Sequence, residues 1–264
     1  MAAIKKYHQQ MLEIATNRGF WLKPLGQIPG PNRKYEMWLI RTREIYPYDH
    51  KDPRVLIVAG FHGEEAAGPW AILKWMKEVD SEWLRQVDVS LIPIVNPYGF
   101  ARKKRWGYSD MPTNTGFCHD HAKPSPEGQI LIDNIELLRP LAHDGFLSLH
   151  EDVTVKEYYL YTFEQGLEPG RFTKTLKKEL GRYFPKPYNG IAYIEANSDS
   201  DGPECKDGLV YRFCDGSFED WLFHQGVPRT CVTETPGKYK LQRRINANKE
   251  IIQKFIEVVK AECQ

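Results

Sequence analysis

In the stretch RVLIVAGFHGEEAAGPW, residues 54–70, a run of apolar and β-branched residues ends at a glycine, and His62, Glu64 and Glu65 follow at once. A histidine and a carboxylate three residues apart reach one cation when a turn entering a helix brings them to the same side. Two further apolar runs end on polar groups: GFLSLH closes on His150, and RTCVTE on Glu234. Two neutral imidazoles and one carboxylate form a zinc ligand set that leaves net positive charge and one open position. An ion held so polarises a carbonyl and acidifies a water. A carboxylate that is not a ligand must then take the proton, and Glu234 is the candidate general base. Each residue also has a plainer reading. Glu64 and Glu65 suit the positive end of a helix, His150 a hydrogen-bonded core, and Glu234 a turn. The set stands out because all of it terminates strongly apolar runs. A competing cluster, Cys118, His119, Asp120 and His121, offers four ligand types in a row. Adjacent side chains point apart, so a surface loop is the plainer reading there.

The elements that must position these groups follow from hydrophobic period. EMWLIRT, RVLIVAG, DVSLIPIV, GFLSLH, EYYLYTF and RTCVTE read as buried strands. AAGPWAILKWMKEV, SPEGQILIDNIELLRPL, GRFTKTLKKELGRYF and RRINANKEIIQKFIEVVKAEC read as helices, as does the first stretch of the chain. Strands that are apolar throughout and alternate with helices indicate an α/β sheet covered on both faces. Sites of such sheets lie at the carboxyl ends of the strands. Two regions, Tyr98 to Lys123 and Tyr188 to Asp215, lack a period and read as long functional loops. Neither has a linker's composition, so residues 1–264 are expected to form one catalytic domain.

Thirty-six basic against 35 acidic residues leave a formal charge of +1 in 264 residues. That balance gives no field for nucleic acid or an acidic membrane. The run Arg102-Lys103-Lys104-Arg105 reads as a solvated loop. The first 20 residues have no apolar secretory core. Five scattered cysteines without a C-x-x-C pair suit reduced thiols, so a cytoplasmic location is expected.

In order along the chain, these motifs resemble the zinc carboxypeptidase superfamily, the carboxypeptidase A-like metallopeptidases. HGEE resembles its His-x-x-Glu zinc motif, and NPYGF, residues 96–100, its NPDG turn with Tyr98 in place of the aspartate. PSPEGQIL resembles the SEPET helix start, with Glu127 in the shared position. SLHED supplies His150, YRFCDGSFEDWLFHQGV resembles the GS-x-DW stretch, and VTET carries Glu234. The matches run from Arg54 to Pro236.

The resemblance implies a mixed, mainly parallel eight-stranded sheet flanked by helices. It implies one zinc ion on His62, Glu65 and His150, and hydrolysis of a peptide or amide bond near a substrate C-terminus. Glu234 would be base and then proton donor. Tyr211 stands where the family has a mobile tyrosine that bonds the substrate, and Arg105 fits the arginine that stabilises the oxyanion. Departures matter as much. Where the family grips a terminal carboxylate with an Asn-Arg pair, this chain has Asn114 and Thr115. A hydroxyl cannot replace a bidentate guanidinium, so Arg102 or Arg212 would bind the carboxylate instead. Asp110 is a shifted candidate for orienting His62. Specificity is expected near GSFED, with Phe218 implying an apolar leaving residue and Glu219 a cationic one. The short bacterial members acting on murein peptides are the nearest analogy. The alternative is an N-acyl amino acid deacylase of the aspartoacylase/succinylglutamate desuccinylase type, and the third is a zinc-free binding module. The expected partner is a small peptide or N-acyl amino acid.

Overall fold

A computed structural model of the chain describes residues 2–44, 52–117, 123–192 and 202–263, so the Cys118–His121 cluster lies outside it. In chain order the elements are α1 (Ala2–Arg18), β1 (Trp21–Ile28), β2 (Tyr35–Arg41), β3 (Arg54–Ala59), α2 (Ala67–Glu78), α3 (Ser81–Leu84), β4 (Asp88–Ile92), α4 (Pro97–Arg102), α5 (Pro126–Asp133) and α6 (Ile135–Leu141). There follow β5 (Gly145–Asp152), β6 (Tyr159–Glu164), α7 (Arg171–Tyr183), β7 (Gly190–Ile191), β8 (Glu204–Cys205), β9 (Leu209–Tyr211), α8 (Phe218–His224), β10 (Arg229–Pro236) and α9 (Leu241–Cys263).

Eight strands form one sheet in the order β1-β2-β4-β3-β5-β10-β6-β9, and β7 and β8 pair separately. The four central strands are parallel; β1, β2 and β4 pair antiparallel on one side, and on the other β6 is antiparallel to β10 and parallel to the edge strand β9. This is the mixed, mainly parallel α/β sheet expected from the sequence. β3 and β5 are buried almost end to end because helices cover both faces. Alternation along β5 shows the two sides. Gly145 lies against Phe255 and Val259 of α9, whereas Phe146 packs on Phe218 of α8. His150 has the parity of Phe146 and Glu151 that of Gly145, so the two neighbours serve opposite faces.

The register does the positioning. Ala59 at the end of β3 lies beside Leu149, and Glu234 of β10 lies beside His150. On its other side Glu234 faces Tyr159 of β6. The carboxyl ends of β3, β5 and β10 therefore bring His62, His150 and Glu234 to one place.

The elements differ from expectation where local signals are weak. β1 carries Pro24 and Gly26 around a register shift and buries only its last residue, as an edge strand can. SPEGQILIDNIELLRPL is two helices, parted at Asn134, whose side chain bonds the carbonyls of Leu25 and Ile130. The region from Tyr98 contains most of α4, and the region from Tyr188 contains β7, β8 and β9. No helix among the described residues is long and apolar enough to cross a membrane.

Candidate metal centre

The chain leaves β3 at Gly60, whose φ of +68° turns it sharply, a conformation in which glycine avoids the Cβ clash. His62 and Glu65 then share a tight turn closed by Glu65 N–H donating to the His62 carbonyl at 3.3 Å. His62 Nδ1 lies 2.5 Å from Glu65 Oε1, and His150 Nδ1 lies 3.1 Å from Glu65 Oε2. The two Nδ1 atoms are 3.3 Å apart. Ligands about 2.0–2.1 Å from a tetrahedral zinc lie about 3.3 Å from one another. His150 Nδ1 stands about that far from both other donors, with Glu65 closer to His62, and each residue is 2–4 % exposed. Glu65 Oε2 is buried and makes no well-formed hydrogen bond, although the His150 ring nitrogen is 3.1 Å away, and a cation would satisfy it. These residues fit a zinc ion on both donor type and spacing.

Electrostatics agree. Burial pushes the Glu65 carboxyl up, but the imidazoles of His62 and His150 pull it further down, so it is held well below the ordinary range. Burial lowers His150, against the pull of Glu65, which keeps the imidazole neutral as a ligand must be. Phe61 stacks on the His150 ring at 5.6 Å and fixes its plane.

Next to the donors is a cavity of about 280 Å³ lined by Glu64, Glu65, Arg105, Asp152, Tyr159 and Glu234, among others. Burial pushes Glu234 well up, and the carboxylates of Glu65 and Asp152 push it further. A cation at the donor cluster opposes that shift. Arg105 Nη1 lies 3.3 Å from Glu64 Oε1 and 3.4 Å from Glu65 Oε1. Glu64 is therefore the partner of the cavity's arginine as well as a charge near the start of α2.

Arg105 is placed by a backbone lock between two motifs. Asn96 caps α4 by accepting from Gly99 N–H at 2.7 Å, its own N–H donates to the Gly60 carbonyl at 2.8 Å, and its Nδ2 donates to the Arg105 carbonyl at 3.1 Å. Gly63 N–H donates to that same carbonyl at 3.0 Å. A Cβ on Gly63 would meet Gly99 C at 2.0 Å and Lys104 O at 2.4 Å, so only glycine fits the approach. Glu127, buried at the start of α5, backs Gly107 in the same loop, and burial pushes its carboxyl up. Below the site, Glu151 accepts from Ala67 N–H at 2.8 Å and pairs with Arg244, which ties β5 to α2 and α9.

Other sequence candidates stand apart from the cavity. Asn114 Nδ2 donates to both oxygens of Glu219 at 3.0 and 3.2 Å, and its Oδ1 accepts from Phe218 N–H. Thr115 is buried beside Asn114 in sequence. Glu219 is thus a buried partner of Asn114 and does not line the cavity. Burial pushes its carboxyl up to about 8, with Asp215 adding to the push. Phe218 is 0 % exposed among Phe61, Phe117 and Phe146, a core residue and not a pocket wall. Tyr211 donates its hydroxyl to the carbonyls of Gly166 and Glu168, and Arg212 also bonds Gly166, so both face the loop after β6. Arg102 is exposed against Tyr98, and Asp110 is exposed with φ +57°. Among the cavity residues that escaped sequence reasoning are Asp152 and Tyr159, whose hydroxyl donates to Asp152 Oδ2 at 2.9 Å. Tyr159 lies inside a strand that was read correctly, and only its pairing with Glu234 reveals its position.

The sequence model of the succinylglutamate desuccinylase/aspartoacylase catalytic domain matches residues 51–138. No curated protein gives a match. Among solved structures, a candidate metallopeptidase from Shewanella baltica OS155 is 34% identical, with 97% of this chain and 92% of that chain covered and a TM-score of 0.86. One from Shewanella amazonensis SB2B is also 34% identical, at 97% and 93% coverage and a TM-score of 0.86. The chain belongs to the zinc carboxypeptidase-like superfamily. A metallo-carboxypeptidase from Burkholderia cenocepacia, 14% identical, shares the fold with a TM-score of 0.70, over 98% of this chain and 69% of that chain. For a zinc carboxypeptidase-like chain, hydrolase chemistry follows as the class.

Proposed function

We propose that this protein is a zinc-dependent hydrolase that cleaves a peptide or amide bond near the C-terminus of a small substrate. The observation that carries the reading is the buried His62, Glu65 and His150 donor set with Glu234 on the neighbouring strand. His62, Glu65 and His150 would hold the ion. When bound, it supplies a Lewis acid that polarises the scissile carbonyl and lowers the pKa of a water. Glu234 takes the proton of the attacking water and returns it to the leaving nitrogen. Arg105, facing the cavity from the opposite loop, stabilises the negative charge that develops on the carbonyl oxygen. The cavity admits a small substrate, in keeping with a dipeptide-sized or single-residue ligand. The scattered cysteines favour work in the cytoplasm.

A second reading is favoured by a specific observation. The family match over residues 51–138 is to the deacylase domain. Tyr211, Phe218 and Glu219, which the carboxypeptidase resemblance placed at the substrate, do not line the cavity. An N-acyl amino acid would then be the substrate, with Arg105 meeting its carboxylate or acyl oxygen. The experiment is metal content by elemental analysis, paired with hydrolysis of a panel of short peptides, murein-type peptides and N-acyl amino acids. One zinc per chain and turnover of peptides supports the first reading, and turnover confined to N-acyl amino acids supports the second. Protein purified without chelator that carries no zinc and hydrolyses neither class would sink both.

A further inference from the structure

We propose that Cys214, His224 and Asp220 form a second reactive centre, in which Cys214 is a thiol nucleophile that captures small-molecule disulfides. None of the three lines the cavity at the metal centre. His224 Nδ1 lies 2.9 Å from the Asp220 main-chain carbonyl oxygen and 2.9 Å from Asp220 Oδ1. Both neighbours are acceptors, so this hydrogen-bond network assigns the ring proton to Nδ1. Nε2 then presents its lone pair to Cys214 Sγ, 3.8 Å away. A nucleophile, a base within reach and a third group that orients the base is the arrangement that activates a weak nucleophile.

Asp220 is fixed for the task. Its Oδ2 accepts from Gly216 N–H at 2.9 Å, and its own N–H is capped by Ser217 Oγ at the start of α8. Asp220 Oδ1 is buried and makes no well-formed hydrogen bond, so the His224 ring is the group its charge faces. The His224 side chain is 53 % exposed and Cys214 is exposed, so a solute can reach both. The same three residues also have a metal-like composition. The geometry argues against a shared ion, because Asp220 addresses Nδ1 while the sulfur addresses Nε2, across the ring.

The step balances without another reagent. The thiol proton passes to His224 Nε2, and the thiolate attacks one sulfur of R–S–S–R. A new bond from Cys214 to that sulfur forms as the old disulfide breaks, and RS⁻ leaves.

The test incubates the zinc-loaded protein with glutathione disulfide at neutral pH and measures the modification rate at each cysteine by peptide mapping. Cys263 is exposed too, whereas Cys205 and Cys231 are buried. We expect Cys214 to react about tenfold faster than Cys263, and His224→Gln to lower the Cys214 rate about tenfold. Equal rates at Cys214 and Cys263, or an unchanged rate in His224→Gln, would overturn the proposal. Uptake of a second zinc that masks Cys214 would overturn it as well, in favour of a metal site. Should His224→Gln fail to fold, the wild-type protein still decides. Native Cys214 must react faster than the same cysteine in urea, and slower reaction there refutes activation.

Discussion

Glu234 stands beside the proposed donor set without belonging to it. Glu65 is bracketed by two imidazoles, and Glu64 faces Arg105. Glu234→Gln should therefore keep one zinc per chain and lose turnover by about 10²–10⁴-fold. Elemental analysis and kcat on the same preparation check this, and wild-type turnover would remove Glu234 from its role. At this scale the sequence was legible for a physical reason. His62, Glu65, His150 and Glu234 all follow buried runs, and a sheet fixes the position of whatever ends its strands. Phe218, Glu219 and Tyr211 were not legible in the same way. Which of Phe218 and Glu219 faces inward depends on where Ser217 starts the helix. Tyr211 sits in a three-residue strand whose partner, β6, is distant in sequence.

At the scale of elements, the turn after β3 and the loop after α4 act as one unit through the Gly63 and Asn96 contacts. Gly63→Ala puts a methyl group against backbone atoms that cannot rotate away. It should destabilise the protein by about 3 kcal/mol, seen in urea unfolding, and lower kcat with it, because Arg105 is displaced. The start of α8 has a different sensitivity. Folded, Glu219 keeps its proton up to about 8, against about 4.5 for an ordinary glutamate. Between those pH values the unfolded chain has released the proton and the folded chain has not, so stability falls as pH rises through that window. Glu219→Gln removes the cost of ionisation. Its melting temperature should exceed that of the wild type by a few degrees at pH 8, with a much smaller gain at pH 5; calorimetry at the two pH values reads the difference. β1 shows why some elements escaped the sequence: Pro24, Gly26 and broad exposure erase the apolar alternation that a pattern search needs. The central strands, apolar throughout, announced themselves.

For the whole molecule, the proposed metal donors come from a turn and a strand on opposite sides of residues 66–144, and the proposed base comes from β10, so the site assembles only when the sheet does. An ion that binds only the folded chain stabilises it. Free zinc at about 1,000 times its dissociation constant should add about 4 kcal/mol. Chelation should reverse the gain in a thermal melt, and Glu65→Gln should make the melt insensitive to zinc. β5 carries a further consequence. His150 turns to one face as a proposed ligand, and Glu151 turns to the other to hold Ala67 and Arg244. Inserting or deleting a single residue upstream within β5 would exchange those two roles and ruin both. Over evolutionary time, length changes should be purged from β5 and tolerated at β1. Novelty in substrate choice would then have to arise in the loops beyond the strand ends, above a frame that cannot shift by one residue.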